Sequence, residues 1–305
     1  MNDYLLSVLL GVIEGLTEFL PVSSTAHLRL SEALLGVELS NGYWKMYTIV
    51  IQLGAILCLP IYFRARISEF LATFPNGRSG NRTVLDHPLS LTAIAFVVTA
   101  VPALLLTKVI GQNLESIYVM GAALLIGGVV MWVVDAIYGT PRATATRSVG
   151  AAVAGVSSRY RTEDMEEMTL GQAIWIGACQ ITSAVFPGTS RSMSTIAGGQ
   201  LVGMSRPAAL EFSFFLSMPT MIAATGYDLF KSLRHKGGGS GLGVAPTDLH
   251  GWIILAIGFV VSFIVAYVVV AWFMHWVRRR GFAPFAVYRI VVGIAVLAWA
   301  MSAAR

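Results

Sequence analysis

Residues 4–35 read YLLSVLLGVIEGLTEFLPVSSTAHLRLSEALL, and this stretch decides the fold. An apolar run that carries two glutamates ends at Pro21, passes through a small-polar cluster and continues as a second apolar run. Proline breaks a helix because it lacks an N–H donor and clashes with the preceding turn. Non-helical backbone at membrane depth is tolerated only where protein buries it or where it lines a cavity. We therefore predict a re-entrant pair, with helix 4–20 entering the membrane and helix 22–35 leaving on the same side.

The rest of the chain has the composition of an integral membrane protein. Its 305 residues are 56% hydrophobic and only 12% charged, whereas a soluble domain carries about 25% charged residues. In a membrane protein a net charge of +5 indicates basic residues in cytoplasmic loops. The sequence lacks a basic run with interleaved aromatics, so a nucleic-acid partner is not predicted. We predict an all-α polytopic protein among membrane lipids, with six spans at residues 45–63, 89–108, 116–138, 207–230, 251–277 and 283–303.

A second stretch, residues 170–203, repeats the design of the first around Pro187. One fixed offset aligns Gly11 with Gly177, Glu14 with Gln180, Pro21 with Pro187 and Ser24 with Ser190. This alignment predicts a second re-entrant pair, formed by helices 170–186 and 188–203.

The two pairs divide a single membrane domain, residues 1–305, into repeat one (1–138), a polar cytoplasmic linker (139–168) and repeat two (169–305). Three spans follow each pair, and this odd number of crossings gives the repeats opposite orientations. We therefore predict two inverted-topology repeats, each a re-entrant helix pair plus three transmembrane helices. In such folds the site lies near the midplane, where the repeats meet.

Arginines predict the orientation, because cytoplasmic loops carry an excess of them. Three groups fall on one side, which we take as cytoplasmic: Arg64, Arg66, Arg78 and Arg82; Arg142, Arg147, Arg159 and Arg161; and Arg278, Arg279 and Arg280. Both termini then face outward, and the first re-entrant pair enters the membrane from the outside. Lys231, Arg234 and Lys236 fall outside and count against this orientation.

The first motif combines acids, hydroxyls and an imidazole. Glu14 and Glu18 are four residues apart on one helix face, where they repel unless a cation or a shared proton lies between them, or unless both reach water. One hydroxyl of the cluster Ser23, Ser24 and Thr25 is expected to cap the next helix, whose N-terminus suits an anion. His27 lies three residues after Ser24 and is a candidate for proton transfer.

The second motif is a candidate phosphate clamp made of Gly188, Thr189, Ser190, Arg191 and Ser192. Gly188 permits close backbone approach, the hydroxyls lie at a helix N-terminus, and the planar fork of Arg191 matches phosphate oxygens. Alternatively, Arg191 forms a structural bridge to one of the two glutamates. The combined set suits a phosphate or diphosphate with a divalent cation. Spacing alone leaves two functions open, hydrolysis or the movement of a lipid phosphate by a transporter or flippase.

At these residues the chain closely resembles the undecaprenyl-diphosphate phosphatases, the bacterial family also called bacitracin-resistance protein. The resemblance is carried by the stretches EGLTEFLPVSST (14–25), PGTSRS (187–192), VIQLGAI (50–56) and EFSFFLSMPT (211–220), together with His27. It covers nearly the whole chain. Ala26 and Met193 stand where many members have glycine.

The resemblance implies an enzyme that removes the terminal phosphate of undecaprenyl diphosphate. The product is the monophosphate carrier lipid for peptidoglycan and other envelope polymers, and excess activity raises bacitracin resistance. It also implies a divalent cation (Mg²⁺, with Ca²⁺ as the second choice) and a site at the outer face of the bacterial cytoplasmic (inner) membrane.

Matched to the family's motifs, Glu14 and Glu18 are linked to metal and catalysis, Ser24 and His27 are its serine and histidine, and Ser190 and Arg191 belong to its phosphate-binding turn. We expect Ser24 or a water to attack the terminal phosphorus, with His27 as the proton shuttle. The roles of Gln52, Gln180 and Glu211 stay open, as does the oligomeric state, a homodimer included.

Overall fold

The computed structural model describes residues 2–37, 42–107, 110, 116–139, 160–234 and 246–303, and their regular structure is helical. The helices, in chain order, are α1 (Asp3–Thr17), α2 (Ser24–Leu35), α3 (Gly42–Tyr62), α4 (Arg64–Thr73), α5 (Pro88–Leu105), α6 (Ile117–Tyr138), α7 (Leu170–Val185), α8 (Arg191–Leu201), α9 (Arg206–Arg234), α10 (Leu249–Arg280) and α11 (Ala283–Ala303).

Six of these helices, α3, α5, α6, α9, α10 and α11, are long and apolar enough to cross a membrane. They match the six predicted spans to within a few residues, so the chain is a polytopic membrane protein, as predicted. The shorter helices α1, α2, α7 and α8 lie where the two helix pairs around the prolines were predicted.

The sequence missed one helix and one turn at the edge of the membrane domain. The first group of predicted loop arginines includes Arg64 and Arg66, but these two residues lie in α4. A 3₁₀ turn at Met165–Glu167 follows the linker and is closed by a reciprocal capping box between Asp164 and Glu167. Four of the basic residues used for the orientation lie outside the described residues: Arg142, Arg147 and Arg159 of the linker, and Lys236.

The helices pack in pairs that cross between the two halves of the chain. α6 packs along α11, α1 and α3 pack on α10, and α7 packs on α5. α9 runs through the middle and contacts α3, α5 and α8, and its Phe214 packs in the main core against Phe19, Phe63 and Phe273. Each short helix pair is therefore held against long helices from the other half.

Charged and polar contacts gather one set of helix ends on a common face. Arg66 of α4 binds Glu211 near the start of α9 at 3.0 Å, and it also pairs with Asp164. Asp135 at the end of α6 accepts from Arg206 Nε at 2.7 Å and from the Phe282 backbone N–H, just before α11. Burial opposes the charge of Arg66, but Glu211 and Asp164 outweigh it and raise the pKa of Arg66 above its ordinary value.

The opposite ends of these helices form a second face, where aromatic hydroxyls make the contacts. Tyr4 of α1 lies 3.0 Å from His250 at the start of α10, and the Tyr43 hydroxyl donates to the Gly251 carbonyl at 2.8 Å. Tyr118 at the start of α6 reaches the carbonyl of Ala300 near the end of α11. The starts of α1, α3 and α10 therefore lie together, away from the face that carries Arg66.

Candidate functional site

The two proline turns share an unusual backbone. Among the described residues, Ser23 and Ser190 are the non-glycine residues with positive φ, at 75° and 70°. Each serine precedes a helix, and its hydroxyl accepts from the backbone N–H three residues later, at 3.4 Å in both turns. A non-glycine residue in such a conformation costs about 1–3 kcal/mol and is characteristic of functional sites.

This geometry changes how the two turns correspond. The offset that aligns the prolines pairs Ser24 with Ser190, but the structure puts the cap and the positive φ at Ser23 and Ser190. The second turn has one residue more between its proline and its cap, so Ser24 occupies the place of Arg191, the first residue of the following helix. Of the three candidate caps in the first motif, Ser23 is the residue used.

The carboxylate of Glu18 joins the two turns. One oxygen accepts a 2.5 Å hydrogen bond from the Ser24 hydroxyl, and the other accepts from Arg191 Nη2 at 3.0 Å. The Glu18 and Arg191 side chains are only 5% and 14% exposed, so this ion pair is nearly shielded from solvent. Arg191 therefore does pair with one of the two glutamates, and this pair lies at the centre of the candidate site.

Glu14 is the unsatisfied acid of the site. It is fully buried one helical turn before Glu18, and neither of its carboxylate oxygens has a hydrogen-bond partner among the described residues. A buried carboxylate without partners is costly, so a cation or a proton is expected to accompany it.

The acids of the site can supply only some of the ligands of a cation. Within the described parts of the chain, no group of three or more His, Cys, Asp and Glu side chains is close enough to hold a metal. A two-carboxylate site fits Mg²⁺ nevertheless, because Mg²⁺ is commonly bound by one or two carboxylates and takes its remaining ligands from phosphates and water.

The hydroxyls of the second motif line the same junction. Ser192 Oγ donates to the Leu20 carbonyl of the first turn at 3.1 Å, and it lies 3.1 Å from Ser190 Oγ. Gly188 has φ 96°, and a Cβ there would meet the Met120 carbonyl at 2.5 Å, so only glycine fits. The two threonines of the motifs are less enclosed, since Thr25 is exposed and Thr189 half-buried.

The structure does not bring the His27 ring to Ser24. Its Nδ1 lies 2.7 Å from the Ser23 carbonyl, which can only accept, so Nδ1 carries a proton. Its Nε2 lies 2.6 Å from the hydroxyl of Tyr288, whose ring stacks on the imidazole. Tyr288 was not foreseen, because a tyrosine in an apolar span carries no signal of its own.

Arg289, next to Tyr288 on α11, is a second residue that the sequence analysis missed. It is fully buried, and its guanidinium donates to the carbonyls of Pro21 at 3.0 Å, Gly188 at 3.0 Å and Ala123 at 3.1 Å. The rule that an ionisable residue inside a span is a functional candidate could have found it.

The remaining polar residues lie outside this junction. Gln180, where the second repeat lacks an acid, is buried and donates to Thr220 Oγ1 at 3.1 Å. Glu211 belongs to the ion cluster around Arg66. Gln52 is half-buried on α3.

Comparison with known proteins shows the family of the chain. The model of the family "Bacitracin resistance protein BacA" matches residues 7–295. A protein of Koribacter versatilis named undecaprenyl-diphosphatase is 68% identical over 99% of both chains. One of Paramagnetospirillum magneticum, named undecaprenyl-diphosphatase 2, is 41% identical over 94% of this chain and 95% of its own. One of Caldanaerobacter subterraneus subsp. tengcongensis, named undecaprenyl-diphosphatase, is 37% identical over 95% and 93%. The chain therefore belongs to the bacitracin resistance protein BacA family.

Proposed function

We propose that this protein hydrolyses undecaprenyl diphosphate to undecaprenyl phosphate and inorganic phosphate, and that it thereby recycles the carrier lipid for cell-wall synthesis and confers bacitracin resistance. The observation that carries the proposal is the junction at Glu18, where an acid, a hydroxyl and an arginine from two different turns meet. The names of the relatives supply the substrate.

The diphosphate binds between the two turns. Arg191 has five N–H donors, and its contacts with Glu18 and the Ser217 carbonyl leave donors for phosphate oxygens. The N-termini of α2 and α8 add partial positive charge on either side. Ser23, Thr25, Thr189, Ser190 and Ser192 supply hydroxyls around the same space, and Gly188 permits close approach of the backbone.

Ser24 or a water attacks the terminal phosphorus, and the bond from that phosphorus to the bridging oxygen breaks, so that this oxygen leaves with the lipid monophosphate. If Ser24 attacks, a water then hydrolyses the phosphoserine and releases inorganic phosphate. Glu18 is the base in contact with the Ser24 hydroxyl, so it takes the proton of the attacking group. His27 remains the candidate shuttle for a proton to or from solvent, and its route runs through the Tyr288 hydroxyl. The role of first base thereby moves from His27 to Glu18.

Glu14 and Glu18 would hold a divalent cation, Mg²⁺ as the first choice and Ca²⁺ as the second. The unpartnered oxygens of Glu14 support this assignment. Such a cation, when bound, supplies charge neutralisation for the diphosphate.

The fold that holds this site is a pair of inverted repeats. In the two repeats α1 corresponds to α7, α5 to α10 and α6 to α11. The packing of α1 on α10 therefore corresponds to that of α7 on α5, and the packing of α6 on α11 corresponds to itself. Gly11 and Gly177, which the offset aligns, make these close approaches to Gly258 and Ala95. The two matching serine caps add independent support.

The first turn opens outward, toward the periplasmic side of the bacterial inner membrane. The face that carries Arg66 and Arg206 also receives the end of α10 with its three arginines, which supports a cytoplasmic assignment for that face. The start of α1 lies with the starts of α3 and α10 on the opposite face.

Phosphate release from a short-chain isoprenyl diphosphate by the purified protein in detergent tests the proposal. With Mg²⁺ we expect continuous release, and with EDTA we expect none. A protein that releases no phosphate under any metal condition, yet moves a fluorescent lipid phosphate across vesicles, would be a transporter instead.

A further inference from the structure

Arg289 lies on α11, and its buried guanidinium contacts both proline turns and α6 at once. Within the described part of the chain, it is the one side chain that makes hydrogen bonds to all three. It donates to Pro21 of the first turn, to Gly188 of the second and to Ala123 of α6. In that same part of the chain, no carboxylate forms an ion pair with it.

Burial of such a residue costs folding free energy. A permanent charge inside a membrane protein carries a desolvation penalty, and three carbonyl oxygens compensate for it less well than an anion does. A single hydrogen-bonded polar residue could have satisfied either turn alone. Contact with both turns at the same time needs a long side chain with several donors, which an arginine provides.

The position of Arg289 explains why one such residue suffices. The offset that relates the two repeats pairs Arg289 with Ala123, whose carbonyl it binds across the α6–α11 contact. A residue at this shared contact reaches both turns, whereas arginines at both positions would bring two like charges together. Gly127 makes room for the guanidinium, because a Cβ there would lie 2.3 Å from Arg289 Nη2.

We infer that Arg289 is a positioning residue that fixes the spacing of the two turns, so that Glu18 and Ser24 on the first meet Arg191 on the second. The inference rests on the proposed function for its catalytic consequence, but the spacing itself can be measured without activity. It assigns to α11 the task of assembling one site from two half-sites.

Gly127→Ala is the sharpest perturbation, because it displaces the guanidinium while every charge is kept. Gly121→Ala is the matched control on the same helix and also against α11, where a Cβ would meet the flexible side chain of Leu297 at 2.9 Å and not Arg289. A misplacement of about 1 Å costs about 10²-fold in rate. We expect Gly127→Ala to lose about that much in kcat per folded molecule, and Gly121→Ala to stay near wild type.

Hydrogen exchange supplies the second readout. The backbone N–H of His27 donates to the Ser23 carbonyl at 3.3 Å, and that of Ser194 donates to the Ser190 carbonyl at 3.1 Å. When the guanidinium is displaced, exchange should accelerate at both turns together, although they are far apart in sequence. Arg289→Lys, which keeps the charge but cannot span three carbonyls as a planar fork, should show the same pattern more weakly.

Two results would overturn the inference. One is wild-type kcat and wild-type exchange at both turns in Gly127→Ala and Arg289→Lys. The other is equal loosening in Gly121→Ala, which would assign the effect to general packing of α6 on α11. If the wild-type protein released no phosphate, the proposed function would fail, while the exchange data would still decide whether Arg289 sets the spacing.

Discussion

Removal of the Arg191 side chain separates its role in catalysis from its role in folding. If its planar fork holds the transferred phosphoryl group with two charge-assisted hydrogen bonds, each contributes about 1.5–3 kcal/mol. Arg191→Ala then loses about 3–6 kcal/mol of transition-state stabilisation, which is about 10²- to 10⁴-fold in kcat/KM. Arg191→Lys keeps one point-charge contact and should lose about 10- to 10²-fold.

Folding is affected as well, because Arg191 neutralises Glu18 in a nearly buried pair. Removing one partner of such a pair costs about 3–5 kcal/mol in stability. Arg66→Ala is the matched control, since Arg66 binds Glu211 at the same 3.0 Å distance but outside the site. It should lower the melting temperature and leave kcat per folded molecule unchanged.

The assay is phosphate release from an isoprenyl diphosphate in detergent, with the folded fraction measured by size-exclusion chromatography and thermal melting. Wild-type turnover by Arg191→Ala would refute the assignment of Arg191 to the phosphoryl group. Equal losses of kcat in Arg191→Ala and Arg66→Ala would show that Arg191 contributes to stability alone.

Three further variants test neighbouring parts of the site. If Ser24 is the nucleophile that Glu18 activates, Ser24→Ala should lose about 10²- to 10⁴-fold in kcat; full turnover would assign the attack to water. Tyr288→Phe keeps the stacked ring and removes one hydrogen bond to His27, so kcat should fall about fivefold and the pH profile should shift; an unchanged profile would remove Tyr288 from the proton route. EDTA should abolish wild-type activity, and Glu14→Gln should raise the Mg²⁺ concentration for half-maximal rate by about tenfold or more; an unchanged requirement would place the cation elsewhere.

The spans were predictable because crossing a bilayer needs about 20 apolar residues, and this is a property of composition. The breaks at Pro21 and Pro187 were predictable because proline acts on its own helix. The helix α4 was not, since it is short and its Arg66 is anchored by Asp164 and Glu211, both distant in the chain.

Within the site, the sequence supplied the reactive residue types but not their partners. Glu14 and Glu18 share one helix face, and spacing could not say which of them binds Arg191. Counting residues also paired Ser24 with Ser190, because the extra residue in the second turn becomes visible only when the backbone reveals which serine caps its helix.

The measurement that tests the central claim most directly is the rate of phosphate release by Glu18→Gln beside wild type and Glu211→Gln. The amide keeps the shape of Glu18 but is no base for the Ser24 proton and does not pair with Arg191 as an anion. Loss of a general base predicts a fall of about 10²- to 10⁴-fold in kcat for Glu18→Gln. Glu211→Gln, altered in the ion cluster outside the site, should turn over at nearly the wild-type rate. Wild-type turnover by Glu18→Gln would contradict a single site assembled from the two turns.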